Sequence, residues 1–283
     1  MRADVALTGE RRVVLETGVR LHYVERGSGV PVVFIHGGGR DYRYWDGQLD
    51  WFAERYRAVA YSRRYAPPND NPEIVADYSA LVDAADLAAL LRALDLGPAH
   101  FVGASIGGVA ALFLAVQHPE LVRTLVLAEP PVLRWALDLP GGAALFDRFF
   151  DEAFRPAGEA FRAGDPERAM GLLTDAFLGG GTFARFPEAL QARVMRTARD
   201  WAAQTMSTAA FPELSRDAVR AIAAPVLMLS GARTIPIHAL VDEELSRLLP
   251  HASRVVIPDA AHDLWADQPQ QCREITLAFL ADH

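Results

Sequence analysis

Six residues, Gly103-Ala104-Ser105-Ile106-Gly107-Gly108, constrain this chain more than any other stretch. They join the apolar run His100-Phe101-Val102-Gly103 to a helical stretch, Ile106 to His118, with no spacer between them. A chain that passes from strand to helix on one serine must hold that serine in strained dihedrals. Glycines on either side are what let strand and helix approach so closely. Such a turn lifts the hydroxyl above the carboxyl edge of a sheet, at the positive end of a helix dipole, where a developing anion is favoured. A helix-capping serine is the competing explanation. It accounts for the serine but leaves the strand and the glycines unexplained.

The rest of the chain repeats the same alternation. Arg12 to Leu15 and Arg20 to Glu25 read as a hairpin joined at Thr17-Gly18. Pro31 to Ile35 is an unbroken apolar run of the kind that suits a parallel strand buried on both faces, and it stops at His36-Gly37-Gly38-Gly39. Further strands are expected at Arg57 to Tyr61, His100 to Gly103, Arg123 to Ala128, Pro225 to Leu229 and Arg254 to Ile257. Helices fall between them at Trp45 to Arg55, Asp77 to Leu96, Ile106 to His118 and His238 to Leu249, with a last one at Gln268 to Leu280. Strands alternating with helices at this spacing predict βαβ units and a mostly parallel sheet covered on both faces.

Residues 133–218 break the alternation. They read as several helices carrying Trp135, Phe146, Phe149, Phe150, Phe154, Phe161, Phe177, Phe183, Phe186 and Trp201, with a joint at Gly179-Gly180-Gly181. This interval is expected to be a helical lid inserted into a core made of 1–132 and 219–283. Most of its aromatic residues should hold the lid to the body, and a minority should face a substrate cavity.

Composition excludes several classes. The chain has 283 residues, 51% hydrophobic and 23% charged, enough for a large core and unlike a disordered chain. A net charge of −8 without a basic stripe disfavours nucleic acid. Every cation is arginine, so no lysine is present to form a Schiff base. The glycines at 37–39 lack the lysine of a phosphate-binding loop, no metal-ligand spacing is evident, and no cofactor is expected. Cys272 is the single cysteine and reads as a half-buried structural thiol. Met1 to Gly9 has no apolar run of signal-peptide length, and no stretch approaches the roughly 20 apolar residues of a membrane span. A cytoplasmic protein with no membrane partner is the expectation.

On these motifs the chain resembles the α/β-hydrolase superfamily. The resemblance is strongest to small bacterial serine hydrolases with a His-Gly-Gly loop, a G-x-S-x-G-G turn and a late Gly/Ala-His turn, and it covers Arg12 to Leu280, most loosely in the lid. It implies an eight-stranded, mostly parallel sheet with helices on both faces and a helical lid. It also implies Ser105 as nucleophile, with His262 as general base in the turn Asp259-Ala260-Ala261 ahead of the last helix. The other histidines sit in strands, at helix ends or at the terminus. The backbone N–H groups of Gly38 and Ile106 are the expected oxyanion donors, each worth roughly 2.7–4 kcal/mol. His36 is expected to order the loop.

The acid departs from the common pattern. After the strand Val226 to Leu229, Thr234 stands where the superfamily usually has an aspartate, and threonine carries no charge. Glu129 lies directly after the strand Leu125 to Ala128, where some lactonases and one branch of haloalkane dehalogenases take their acid. Pro130-Pro131 fixes its exit from the strand. Glu129 is therefore expected to complete the triad; a dyad, Asp242 or Asp259 are the alternatives.

A serine nucleophile implies an acyl-enzyme rather than an alkyl-enzyme ester on a carboxylate. The expected reaction is cleavage of a carboxylic ester or lactone of a hydrophobic small molecule, with Gly39, Tyr42, Tyr44, Trp45 and Trp135 as candidate pocket residues. A lyase or cyclase using the same triad, and a binding protein that keeps the fold without turnover, remain open. Self-association as a homo-oligomer is not decided by the sequence.

Overall fold

In a computed structural model, which describes residues 9–283, the strands form one eight-stranded sheet in the order β1-β2-β4-β3-β5-β6-β7-β8. The strands are β1 (Arg11–Val14), β2 (Arg20–Arg26), β3 (Pro31–Ile35), β4 (Arg57–Tyr61), β5 (Ala99–Ala104), β6 (Val122–Ala128), β7 (Val226–Gly231) and β8 (Ala252–Ile257). β2 pairs antiparallel with β1 and with β4, and all other pairings are parallel. The leading stretch considered above for a signal segment lies, up to residue 8, outside the described residues. No helix among the described residues is long and apolar enough to cross a membrane.

Strand side chains alternate between two cores, as a sheet covered on both faces requires. Val33, Ile35 and Phe101 pack with α2 (Ala80–Leu94) and α3 (Ile106–Gln117). Val32, Phe34 and Val102 pack on the other side with α1 (Asp46–Ala53) and α13 (Pro269–Ala281). Helix α2 starts later than its amphipathic pattern suggests, at Ala80 after Ser79, and ends on Asp95 in the left-handed region (φ 52°).

Between β6 and β7 the chain forms only helices: α4 (Gly142–Phe149), α5 (Arg155–Arg162), α6 (Pro166–Leu178), α7 (Thr182–Arg185), α8 (Glu188–Met195), α9 (Ala198–Thr205) and α10 (Arg216–Arg220). Gly179 and Gly181, both at positive φ, end α6 and begin α7. After β7 come α11 (Pro236–Leu248), then β8, then the short α12 (Leu264–Asp267).

The strand-to-helix turn shows why its glycines are there. A Cβ on Gly103 would lie 2.7 Å from the Cα of Gly108, and one on Gly107 would lie 2.5 Å from the carbonyl oxygen of Ile35. Backbone meets backbone at both points, so no side chain can yield. Gly103→Ala is predicted to destabilise the protein by about 1–3 kcal/mol through overpacking. Gly47→Ala, on an exposed helical position with nothing within 4 Å of the new methyl, should be neutral or stabilising by roughly 0.5–1 kcal/mol. Denaturant unfolding of the two variants checks both; equal effects would contradict the close approach.

Candidate active site

Ser105 is the residue on which β5 ends and α3 begins. Its dihedrals, φ 51° and ψ −125°, are unfavourable for an L-residue, a strain of order 1–3 kcal/mol that its surroundings must impose. Its N–H donates to the carbonyl of Ala128 (2.8 Å), the last residue of β6, and its carbonyl accepts from Gly108 (2.8 Å). The side chain is thereby held at the carboxyl edge of the sheet.

Two other side chains reach the same edge from distant points. His262, in the loop after β8, places Nε2 3.0 Å from Ser105 Oγ and Nδ1 2.7 Å from Glu129 Oε2. Glu129 directly follows β6 at positive φ (45°), its N–H given to the carbonyl of Leu229 on β7 (3.2 Å). Its side chain is 1% exposed, yet both oxygens are satisfied. Oε1 accepts from the N–H of Gly231 (2.7 Å), and Oε2 accepts from the hydroxyl of Thr234 (2.6 Å) as well as from His262. Thr234, at the position where an aspartate is common, thus steadies the carboxylate that occupies the other location.

Burial works against the anion of Glu129. The neighbouring imidazoles of His238 and His262 and the Thr234 hydroxyl outweigh it, and hold the carboxyl down at about 2. The proton shared with His262 therefore belongs to Nδ1 of the ring. That leaves the Nε2 lone pair facing the serine, the tautomer a base requires.

Sequence reasoning passed over His238. It comes from α11, with Nδ1 2.8 Å from His262 Nδ1 and 3.8 Å from Glu129 Oε2. Only one proton can lie between two ring nitrogens at that distance. Burial, together with the charge on His262, lowers His238 to about 4 and keeps it neutral. Glu129, His238 and His262 are the only group among the described residues with three potential metal donors close together, within 4.8 Å of one another. A metal there would compete with the Glu129–His262 hydrogen bond.

The loop after β3 supplies the remaining polar groups. His36 is buried; its Nε2 accepts from the N–H of Arg63 (2.9 Å), so Nδ1 carries the proton and donates to the carbonyl of Gly37 (2.8 Å). Burial, reinforced by the Arg63 charge, lowers it to about 3, and the neutral ring orders the loop. A Cβ on Gly37 would lie 3.1 Å from the Cβ of Ser105, so loop and serine are in contact. The N–H groups of Gly38 and Ile106 have no acceptor among the described residues.

A cavity of about 410 Å³ opens above these groups. Gly37, Gly38, Gly39, Ser105 and His262 form its floor, and Met170, Leu173, Phe177, Phe186, Val194 and Trp201, all from the helices between β6 and β7, form the facing wall. The Phe177 ring stacks on the His262 ring at 5.8 Å and 15°. Of the candidate pocket residues, Gly39 and Tyr44 line the cavity, and Tyr42, Trp45 and Trp135 do not. Tyr42 is 2% exposed with its hydroxyl on Glu10, and Trp45 packs between Phe34 and Trp265. Trp135 faces the body, its ring N–H donated to the carbonyl of Leu214 (2.7 Å). Their burial is packing, which aromatic type and nearness to the glycine loop do not distinguish from pocket lining.

Of the alternative acids, Asp259 is exposed, and Asp242 hydrogen-bonds the hydroxyl of Ser230 with Arg254 Nε at 3.5 Å. Neither carboxylate hydrogen-bonds His262.

A family model described as "alpha/beta hydrolase fold" matches residues 30–269. The chain belongs to this family. It is 28% identical to 2-(acetamidomethylene)succinate hydrolase of Mesorhizobium japonicum, with 100% of this chain and 98% of that protein covered. It is 25% identical to bifunctional epoxide hydrolase 2 of Sus scrofa over 95% of this chain, but spans only 54% of that longer protein. Among solved structures it is similar to Est816, an N-acyl homoserine lactone degrading enzyme, with TM-score 0.73, 26% identity, 95% of this chain and 100% of the other covered.

Asp242 gives a pH test of the site's surroundings. Burial first, and the negative charge of Glu129 after it, raise this carboxyl from 3.8 to about 7, against the opposing hydrogen bond from Ser230. The folded protein therefore keeps a proton that the unfolded chain has lost, and stability falls as the pH rises between those values. Thermal unfolding of Asp242→Asn should gain on wild type from about pH 4 to about pH 7 and hold a constant lead above that. A gap that closes with rising pH would contradict the assignment.

Proposed function

We propose that the protein is a serine hydrolase that cleaves a carboxylic ester or lactone of a hydrophobic small molecule. The observation that carries this reading is the chain of contacts from Ser105 Oγ through His262 to the buried Glu129 carboxylate, at 3.0 and 2.7 Å. A serine hydroxyl is a weak nucleophile until a base within hydrogen-bond reach takes its proton. His262 Nε2 fills that role while Glu129 holds the ring's tautomer and stabilises its charged form.

In the first half-reaction Ser105 Oγ adds to the carbonyl carbon, its proton passes to His262 Nε2, and the carbonyl oxygen becomes an oxyanion. The N–H groups of Gly38 and Ile106 receive it. His262 then gives its proton to the leaving oxygen as the tetrahedral species collapses to the acyl-enzyme. In the second half-reaction His262 activates water, which releases the acid and restores the serine. The apolar lid wall supports a hydrophobic acyl or alcohol group. Similarity to a lactone-degrading structure supports lactones among the candidates.

A fluorophosphonate probe and p-nitrophenyl butyrate test this together. The probe should label wild type at Ser105 and leave Ser105→Ala unlabelled, and wild type should turn the ester over. Labelling without ester turnover would transfer the protein to the non-hydrolytic class, and no labelling would end the serine-nucleophile reading. Glu129→Ala is expected to lose about 10³–10⁴ in kcat, as removal of a triad acid does elsewhere, while Asp242→Asn keeps its turnover. The opposite ranking would take Glu129 out of the mechanism.

A further inference from the structure

One buried carboxylate joins the lid to the loop that carries Gly38. Asp200, on α9, is 0% exposed. Its Oδ2 accepts from Arg63 Nη2 (2.8 Å), from Gln204 Nε2 (3.0 Å) and from the backbone N–H of Gly39 (3.3 Å). Arg63, equally buried, reaches the same loop: Nε donates to the carbonyl of His36 (3.2 Å), and Nη2 to that of Gly37 (3.3 Å). The next residue of α9 closes the other side. A Cβ on Gly38 would lie 2.9 Å from Trp201 Cζ2, and one on Gly39 would lie 2.6 Å from its Nε1. With Gly37 against Ser105, the loop is held between the serine and the lid helix.

Stability is a poor explanation for this carboxylate. Without it Arg63 still has Asp83 (2.8 Å) and the Tyr78 hydroxyl (3.0 Å) as partners. Asp200 Oδ1 makes no hydrogen bond among the described residues, and burial raises the carboxyl to about 6. A buried charge so incompletely matched adds little net stability. What it does supply is a fixed acceptor for the Gly39 N–H, which sets the plane of the peptide following Gly38.

We propose that Asp200 is a positioning residue for the oxyanion hole, presenting the Gly38 N–H to the acyl oxygen through its hold on Gly39 while α9 is seated. This rests on the reading of Ser105 as nucleophile and of Gly38 as an oxyanion donor. Misplacing such a donor by a fraction of an ångström weakens only interactions that exist once the oxyanion has formed.

The test compares wild type with Asp200→Leu, which leaves the Gly39 N–H without its acceptor, using p-nitrophenyl butyrate and two ketones of the same shape. A trifluoromethyl ketone takes the Ser105 oxygen and becomes an oxyanion; its unfluorinated counterpart binds without adding. We expect kcat to fall about 10–100-fold with KM nearly constant, and the fluorinated ketone to weaken in proportion. The unfluorinated ketone should bind as before, even though thermal unfolding falls because Arg63 has lost one of its buried partners. Equal weakening of both ketones, a rise in KM at constant kcat, or no change would overturn the proposal. If Asp200→Leu fails to fold, Gln204→Leu, which removes one donor that orients the carboxylate, should show the same selectivity at smaller amplitude, and its absence would overturn the proposal equally. Wild type that turns the ester over while Asp200→Leu matches it in full would refute this inference alone. Wild type that forms no adduct with the fluorinated ketone would refute the nucleophile reading, and this inference with it.

Discussion

The site depends on an anion kept in a place without water. Glu129 is buried at the junction of β6 and β7, and would prefer to be neutral there if nothing compensated it. Three donors compensate it: the Gly231 N–H, the Thr234 hydroxyl and the His262 ring. They come from two segments, the end of β7 with the turn after it and the loop after β8, so the carboxylate stays ionised at this buried position only when both have come together around it. The ionised carboxylate in turn decides which nitrogen of His262 holds the proton. Fold and tautomer are linked through one charge.

The other side of the site depends on the absence of side chains. Gly103 and Gly107 let β5, α3 and β3 meet backbone to backbone, which places Ser105 above the sheet. Gly37, Gly38 and Gly39 leave room for Ser105 below and Trp201 above. Ser105, the loop and helix α9 are therefore packed as one layer. Cavity shape and the placement of the glycine loop are set by the same contacts, so a change in α9 is expected to reach Ser105 through them.

Legibility followed the range of the interaction. Ser105 and the glycines around it were readable because the turn is local: strand, serine and helix are adjacent in the chain. His262 and Glu129 were placed by their positions after β8 and β6, and the structure brings both to Ser105. Thr234 stands out in the sequence only as a place where an acid is lacking, although its hydroxyl bonds the Glu129 carboxylate. Asp200, Arg63 and His238 carried no sequence signal, because an aspartate, an arginine or a histidine within a helix or loop is ordinary until the fold brings it to a partner. Asp200 meets Arg63 across 137 positions, and no local pattern encodes that contact. Tyr42, Trp45 and Trp135 erred the other way: buried aromatic side chains look alike in sequence whether they face a core or a cavity.

The most direct measurement is the proton NMR signal of the His262 ring N–H. A proton on Nδ1 held by an ionised, dehydrated carboxylate should resonate far downfield and exchange slowly with water. It is expected in wild type and in Asp242→Asn, and should vanish from that region in Glu129→Ala. A downfield ring proton that survives loss of Glu129, or that disappears with Asp242 instead, would show that another group holds the imidazole.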